Sequence, residues 1–213
     1  MKKILIGTHN IGKFKEIAYL VPKKYKKISP ITLKIKSPKE TGKSFISNSR
    51  LKVIFFSKFV NYPVISDDSG LCIESLNNKP GIYSARLAKK HGSFFNAMKF
   101  ILKKMKNIKN RKAYFVSSLS YKDINGKITS VEAKLRGRIS NKILGKRGFG
   151  YDPIFIPSKN KITFGQMINS KKIKMDHRFL AFQKLKKKTK IWRIFYFLLY
   201  KYLTLVLLFY FWN

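Results

Sequence analysis

Residues 113–135 read AYFVSSLSYKDINGKITSVEAKL. Two runs rich in aromatic and β-branched residues, Ala113 to Tyr121 and Lys127 to Leu135, flank Asn125-Gly126, a dipeptide suited to a two-residue hairpin turn. The segment therefore predicts an antiparallel pair. Upstream the pattern changes. Lys3 to Thr8 is a short apolar run of the kind a buried strand makes, and a helix is expected to begin at Gly12 and run from about Lys13 to Leu20. Ile31 to Lys36 alternates like a strand. Ser44 to Val60 carries Phe45, Leu51, Phe55 and Phe59 at helical spacing, with Pro63 closing the segment. Pro63 to Ser66 reads as a short strand that delivers Asp67-Asp68-Ser69-Gly70 at its C-terminal end. Ser93 is placed to cap a helix with Met98, Ile101, Leu102 and Met105 on one face, and His177 to about Lys188 reads as the last helix of the body. Helices interleaved with strands, plus one hairpin, predict an α/β fold on a mixed sheet.

The chain has 213 residues, 45% hydrophobic and 15% aromatic, which suits one domain with a sizeable core and excludes a disordered body. Its 47 Lys+Arg against 9 Asp+Glu give a net charge of +38. Such a field attracts nucleic acid, anionic membranes or a polyphosphate. The basic residues run from Lys2 to Lys201 without gathering into a stripe, and the excess of Lys, Ile, Phe, Asn and Tyr matches AT-rich codons. Codon usage is the reading we prefer, with no specific nucleic-acid partner; a triphosphate would be drawn in either way. Cys72 is the sole cysteine, which rules out an intrachain disulfide and a cysteine zinc site and fits a reducing cytosol. The apolar stretch near Met1 ends at Gly7 and is too short for a signal peptide.

Residues 1–188 form the expected catalytic domain, and residues 189–213 a hydrophobic, aromatic tail that follows the lysine run Lys184 to Lys190. Ile191 to Trp212 spans 22 residues, against roughly 20 needed to cross a bilayer. The lysine run would keep the body on the cytoplasmic side. Lys201 near the centre opposes insertion by about 2.5–3.5 kcal/mol. A membrane anchor, an interfacial helix and a non-native extension are the three readings of this tail.

Glu16, Glu40, Asp67, Asp68, Glu74, Asp123, Glu132, Asp152 and Asp176 are the only acids, so metal binding or base catalysis must draw on them. Adjacent carboxylates at Asp67-Asp68 suit Mg²⁺ and can activate water, although Asp and Ser before Gly also make an ordinary capped turn. Thr8-His9-Asn10-Ile11-Gly12-Lys13 is a strand-to-helix turn whose backbone N–H groups can hold phosphate, with Lys13 adding charge. It lacks P-loop spacing, and alone it reads as a plain βα turn. Phe149-Gly150-Tyr151-Asp152 offers aromatics that can stack on a base and an acid for its edge. Lys172 with His177-Arg178 supplies donors for exocyclic oxygens.

Their order decides more than any one of them. Thr8-x-Asn10-x-x-Lys13-x-x-Glu16, Glu40-Thr41-Gly42, Ser66-Asp67-Asp68-Ser69-Gly70-Leu71, Pro80-Gly81-Ile82-Tyr83-Ser84-Ala85-Arg86, Gly148-Phe149-Gly150-Tyr151-Asp152-Pro153-Ile154-Phe155 and His177-Arg178 together resemble the inosine/xanthosine triphosphate pyrophosphatase family, over about residues 2–185. The resemblance implies a two-lobed α/β protein on a central mixed sheet, with the active-site cleft between lobes, usually homodimeric and cytoplasmic. It implies Mg²⁺-dependent hydrolysis of non-standard purine triphosphates (ITP, dITP, XTP) to the monophosphate and pyrophosphate. It places Thr8, His9, Asn10, Ile11, Gly12, Lys13 and Lys52 on the triphosphate, Asp68 as general base and metal ligand, Glu40 as second metal contact, and Ser69 on the substrate. Phe149, Gly150, Tyr151, Asp152, Lys172, His177 and Arg178 would read the base. His9, Ser47, Gln166 and Asp176 depart from the family's usual Gly, Glu, Glu and Ser. The competing readings are a non-enzymatic polyanion- or membrane-binding protein and a pyrophosphatase for other modified nucleotides.

Overall fold

In the computed structural model, which describes residues 1–189, β1 (Lys2–Gly7) buries Ile4, Leu5 and Ile6. Asn10 accepts a hydrogen bond from the Lys13 N–H and starts α1 (Ile11–Leu20). β2 (Tyr25–Ile28) and α2 (Phe45–Phe56) precede β3 (Val64–Ile73) and the two-residue β4 (Lys79–Pro80). Then come α3 (Ser84–Lys90), α4 (Phe94–Lys104), the hairpin of β5 (Lys112–Lys122) and β6 (Ile128–Ile139), β7 (Phe155–Pro157), the single-turn α5 (Asn169–Lys172) and α6 (His177–Lys188).

The strands form one sheet in the order β2-β1-β3-β5-β6-β7, with β4 added to β3. β1 runs parallel to β2 and β3, whereas β3, β5, β6 and β7 are successively antiparallel. The mixed α/β sheet is the one expected. Helices α1 and α6 cover one face, where Ile17, Ala181, Phe182 and Leu185 pack on Ile4, Ile6, Ile65, Leu119 and Val131. On the other face α2 sets Val53 and Phe56 against Leu5 and Val64. A separate cluster gathers α3 and α4 with the far ends of β3 and β5, around Leu71, Met98, Ile101, Phe115, Phe155 and Phe164. Each fully buried phenylalanine, such as Phe56, Phe155 and Phe164, contributes about 1.5–3 kcal/mol relative to exposure.

Several expectations are corrected. Ile31 to Lys36 is not a strand. The Lys34 N–H donates to Ile31 and the Ile35 N–H to Pro30, Lys34 is left-handed (φ 55°), and the sheet edge is taken by Tyr25–Ile28 instead. Alternation there reflected a turn with Ile31 and Leu33 exposed. The second helix stops at Phe56, leaving Phe59 half in solvent. The hairpin loop is longer than two residues: Asp123 pairs with Lys127 through backbone and side chain, and Gly126 takes φ +86°. This is the geometry of a three-residue loop with a glycine bulge.

The strand carrying Asp67-Asp68 continues to Ile73, so the pair lies mid-strand and not at its end. β1 ends at Gly7 opposite Ser66, and β4 joins β3 only at Cys72. Between these points the edge of β3 has no strand partner on that side, and a cleft forms there.

Candidate active site

Successive side chains of a strand point to opposite faces. Asp67 and Asp68 therefore do not share a site, contrary to the simple reading of adjacent carboxylates.

Asp68 faces α2. Its Oδ2 accepts from Asn48 Nδ2 at 3.1 Å, and the Asn48 Oδ1 accepts the Gly42 N–H at 2.8 Å, tying the loop before α2 to the strand. Lys52 Nζ lies 3.7 Å from Asp68 Oδ1 and 2.6 Å from Glu40 Oε1. Arg86 of α3 donates to the Glu40 carbonyl at 2.6 Å. Burial pushes the Asp68 carboxyl above its ordinary range, against the pull of Lys52 and Lys13. Burial acts on Glu40 in the same sense, but Lys52 outweighs it and Glu40 is held low. Burial likewise opposes charge on Lys52, yet Asp68 and Glu40 raise its pKa and keep it an ammonium. Among the described residues no group of three or more His, Cys, Asp and Glu is gathered for a metal. Two carboxylates converging on one cation still fit Mg²⁺, which takes one or two protein carboxylates and completes its shell with substrate phosphates and water.

Asp67 faces α1 and α6. Its Oδ1 accepts from Ser117 at 2.6 Å; its Oδ2 accepts from Ser69 at 3.0 Å and pairs with Lys13 Nζ at 3.0 Å, with Arg178 Nε 3.7 Å away. Despite complete burial, Lys13 and Arg178 hold Asp67 far below the usual carboxylate range. Arg178 also donates to Ser69 Oγ at 2.8 Å and to Glu16 Oε2 at 2.6 Å. Glu16 Oε1 accepts from Lys172 at 2.7 Å, and Lys172 reaches Asp152 Oδ2 at 2.5 Å. Burial opposes the charge on Glu16, but Arg178 and Lys172 keep it ionised. A chain of alternating charges thus runs from Lys13 through Asp67, Arg178, Glu16 and Lys172 to Asp152.

Above this chain sits Phe149, its ring centroid 4.6 Å from Lys172 Nζ and 5.2 Å from Arg178 Cζ. Gly12 permits the approach: a Cβ there would collide with the Phe149 ring. His177 stacks on Phe115 at 4.6 Å, and burial lowers its pKa well below the ordinary value, so it is neutral. Asn10, Lys13, Ser69, Phe149, Gly150, Tyr151, Asp152, His177 and Arg178 line one cleft. A larger cavity of about 770 Å³ opens at the other end of the sheet between Lys2, Tyr25, Tyr62 and Tyr121. Its sole acid is Asp123, so it lacks the paired acids and cations of the smaller cleft.

Not every expected residue contributes a free side chain. Ile11 is exposed, and His9 Nε2 donates to the Ile35 carbonyl (2.9 Å), away from the cleft. Thr8 Oγ1 accepts the Asn10 N–H within the turn. The Tyr151 hydroxyl is spent on the Ser84 carbonyl at 2.8 Å, and its ring packs edge-on against Phe94. Asp152 Oδ2 is occupied by Lys172 and the Phe149 N–H. Sequence reasoning assigned no role to Glu16, Asn48, Ser117 or Arg86, and it offered Asp67 as a partner of Asp68 where the structure pairs it with Lys13, Ser69 and Ser117. Glu16 did carry a signal, standing one helical turn from Lys13 in a chain with few acids.

A family model described as the Ham1 family matches residues 4–188. The chain belongs to the Ham1 family. Among its relatives in the family, the dITP/XTP pyrophosphatase of Caulobacter vibrioides is 38% identical over 186 residues, covering 86% of this chain and 96% of the relative. That of Borrelia duttonii is 40% identical over 203 residues, covering 88% and 96%. The Ham1 protein of Staphylococcus aureus superposes with a TM-score of 0.77 at 34% identity, covering 87% of this chain and 97% of that one. The Ham1 protein of Coxiella burnetii gives 0.78 at 28% identity, covering 88% and 98%.

Proposed function

We propose that this Ham1 protein hydrolyses non-standard purine nucleoside triphosphates, dITP, ITP and XTP, to the monophosphate and pyrophosphate with Mg²⁺, clearing them from the nucleotide pool. The observation that carries the reading is the division of β3. One face presents Asp68, Glu40 and Lys52, a set suited to phosphates and a divalent ion. The other presents Arg178 and Lys172 beneath Phe149, suited to a planar base rich in carbonyl oxygen. The two meet at the unpaired edge of the strand.

In this reading the turn at residues 8–13 offers backbone N–H groups and Lys13 to the triphosphate, with Lys52 alongside. Asp68 accepts a proton from the water that attacks the α-phosphorus; its raised pKa suits that task. Glu40 and Asp68 would hold the metal, which when bound neutralises charge on the phosphate oxygens. Lys52 and Lys13 stabilise negative charge on departing pyrophosphate. Ser69 holds the Arg178 guanidinium beside the substrate. Gly150, Tyr151, Asp152 and the neutral His177 shape the base pocket around Phe149. Its two fixed cations satisfy a 6-oxo group but face a 6-amino group as like donors, a mismatch that can discriminate by about 10⁴ or more. The reading includes a cytoplasmic homodimer whose catalytic domain is residues 1–188.

Incubating the purified protein with ITP, dITP, XTP and ATP in the presence of Mg²⁺, and assaying pyrophosphate against orthophosphate, tests this. Pyrophosphate from the oxo-purine nucleotides, with little from ATP, is expected. Orthophosphate alone overturns it in favour of a phosphohydrolase that cuts at the terminal phosphate, and no turnover of any nucleotide overturns it in favour of a binding protein.

A further inference from the structure

Asp176 stands at the N-cap of α6, with no exposed surface. Its Oδ1 is spent on the Phe179 N–H at 2.8 Å. Its Oδ2 is buried and no N–H or O–H of the ionised protein reaches it, yet the side chain lies within hydrogen-bond reach of the Glu16 carboxyl. Two buried carboxyl groups in contact form a hydrogen bond only if one keeps its proton. Glu16 is already committed as an anion to Lys172 and Arg178. The proton therefore belongs on Asp176, whose O–H then donates to Glu16.

We propose that Asp176 is a positioning residue for base recognition, acting in its protonated form through Glu16 to fix Lys172 and Arg178. This rests on the reading of those two cations as the groups that hold the purine base.

The charged groups acting on Asp176 are Glu16 from α1, Lys172 from α5 and Arg178 from α6; His177, the next residue along α6, is neutral. Burial first, and the Glu16 charge second, raise the Asp176 pKa to about 7, while Arg178 and Lys172 act against them. The proton is therefore held below neutrality and shed above it. Its loss sets a second anion against Glu16, whose oxygens bridge Lys172 and Arg178. Those cations sit beneath Phe149, whereas Asp68 lies on the opposite face of β3. The consequence falls on binding of the base and spares the chemical step.

The test compares wild type with Asp176→Asn from pH 6 to 8.5, using ITP. Asparagine keeps the helix cap and presents an N–H to Glu16 at every pH. For wild type, KM should rise about tenfold above pH 7, as expected if substrate raises the Asp176 pKa by one unit, with kcat changing less than about twofold. For the variant KM should stay flat. Ionisation of ITP is common to both enzymes and cancels in the comparison. Calorimetry of inosine monophosphate binding at pH 7.5, in two buffers of different ionisation enthalpy, should show greater proton uptake by wild type. Should Asp176→Asn fold poorly, Asp176→Ser, also a good cap, replaces it. Parallel KM–pH curves, or equal proton uptake, overturn the proposal. Absence of pyrophosphate release from ITP at every pH refutes the functional reading instead.

Discussion

Asp67 and Asp68 differ by one position along β3, and that offset gives them opposite environments. Asp67 is clamped by Lys13, Ser69 and Ser117 and held strongly acidic, so it cannot serve as a base near neutrality. Asp68 keeps a raised pKa, since burial outweighs the pull of Lys52, which it shares with Glu40. Replacing Asp68 by asparagine preserves shape but removes the proton acceptor and weakens a metal ligand. Turnover should fall at least about 100-fold while nucleotide still binds, as measured by steady-state kinetics and calorimetry. Retention of more than about a tenth of the rate would remove Asp68 from the base role. The departures at other positions keep local geometry. Ser47 completes the α2 capping box by accepting the Ser44 N–H at 2.9 Å, and Gln166 Oε1 accepts the Thr163 N–H at 3.1 Å.

At the scale of elements, α2 supports the catalytic strand through Asn48, which joins Asp68 to the loop at Gly42. Asn48→Ala leaves one buried carboxylate oxygen and one N–H short of a partner, and each such loss costs about 1–3 kcal/mol. Denaturant unfolding should show a destabilisation of that order, and an unchanged midpoint would mean water takes over both bonds. Elements whose pattern is strong were legible from sequence: β1, a helix following Ser44, the cap at Ser93, the β5–β6 pair and α6 from His177 to Lys188. β2 was not, because Tyr25–Ile28 is a four-residue edge strand with little apolar content, and the stronger alternation lay just beyond it. The full length of β3 was hidden because Ser66 to Gly70 reads as a turn, although Ser66, Asp67 and Asp68 are buried. Motif order did single out residues that the fold brings to one cleft, among them Asn10, Lys13, Ser69, Phe149, Asp152 and Arg178. Its wiring was not, since Glu16 meets Lys172 and Arg178 across more than 150 residues of chain, a pairing no local pattern encodes.

For the whole molecule, two acids give opposite pH responses. Asp67, held low, contributes stability above about pH 4 that is lost as acid titrates it through its folded value. Asp176, raised to about 7, makes the folded chain bind more protons than the unfolded one between about pH 4 and pH 7, so stability falls as pH rises across that window. Asp176→Asn should narrow the Tm difference between pH 5 and pH 7.5, and an unchanged difference would contradict this. The anchor reading of residues 191–212 lies outside the described residues; among those described, no helix is long and apolar enough to cross a membrane. Because α6 completes the core at Leu185 and the family match ends at residue 188, a chain ending at Lys190 should remain soluble and fully active. Loss of activity on truncation, followed with the same assay, would make the tail part of the fold. One further consequence follows from the ion-pair chain beneath Phe149. Glu16, Glu40, Asp67, Asp68, Asp152 and Asp176 are all drawn into the site, which leaves Glu74, Asp123 and Glu132 as the only acids elsewhere in a chain of 47 basic residues. The outer surface is therefore almost wholly cationic, and a polyanionic nucleotide arrives by electrostatic steering. Its capture rate, read as kcat/KM, should drop steeply between about 10 mM and 150 mM salt, as the Debye length shrinks from about 30 Å to about 8 Å.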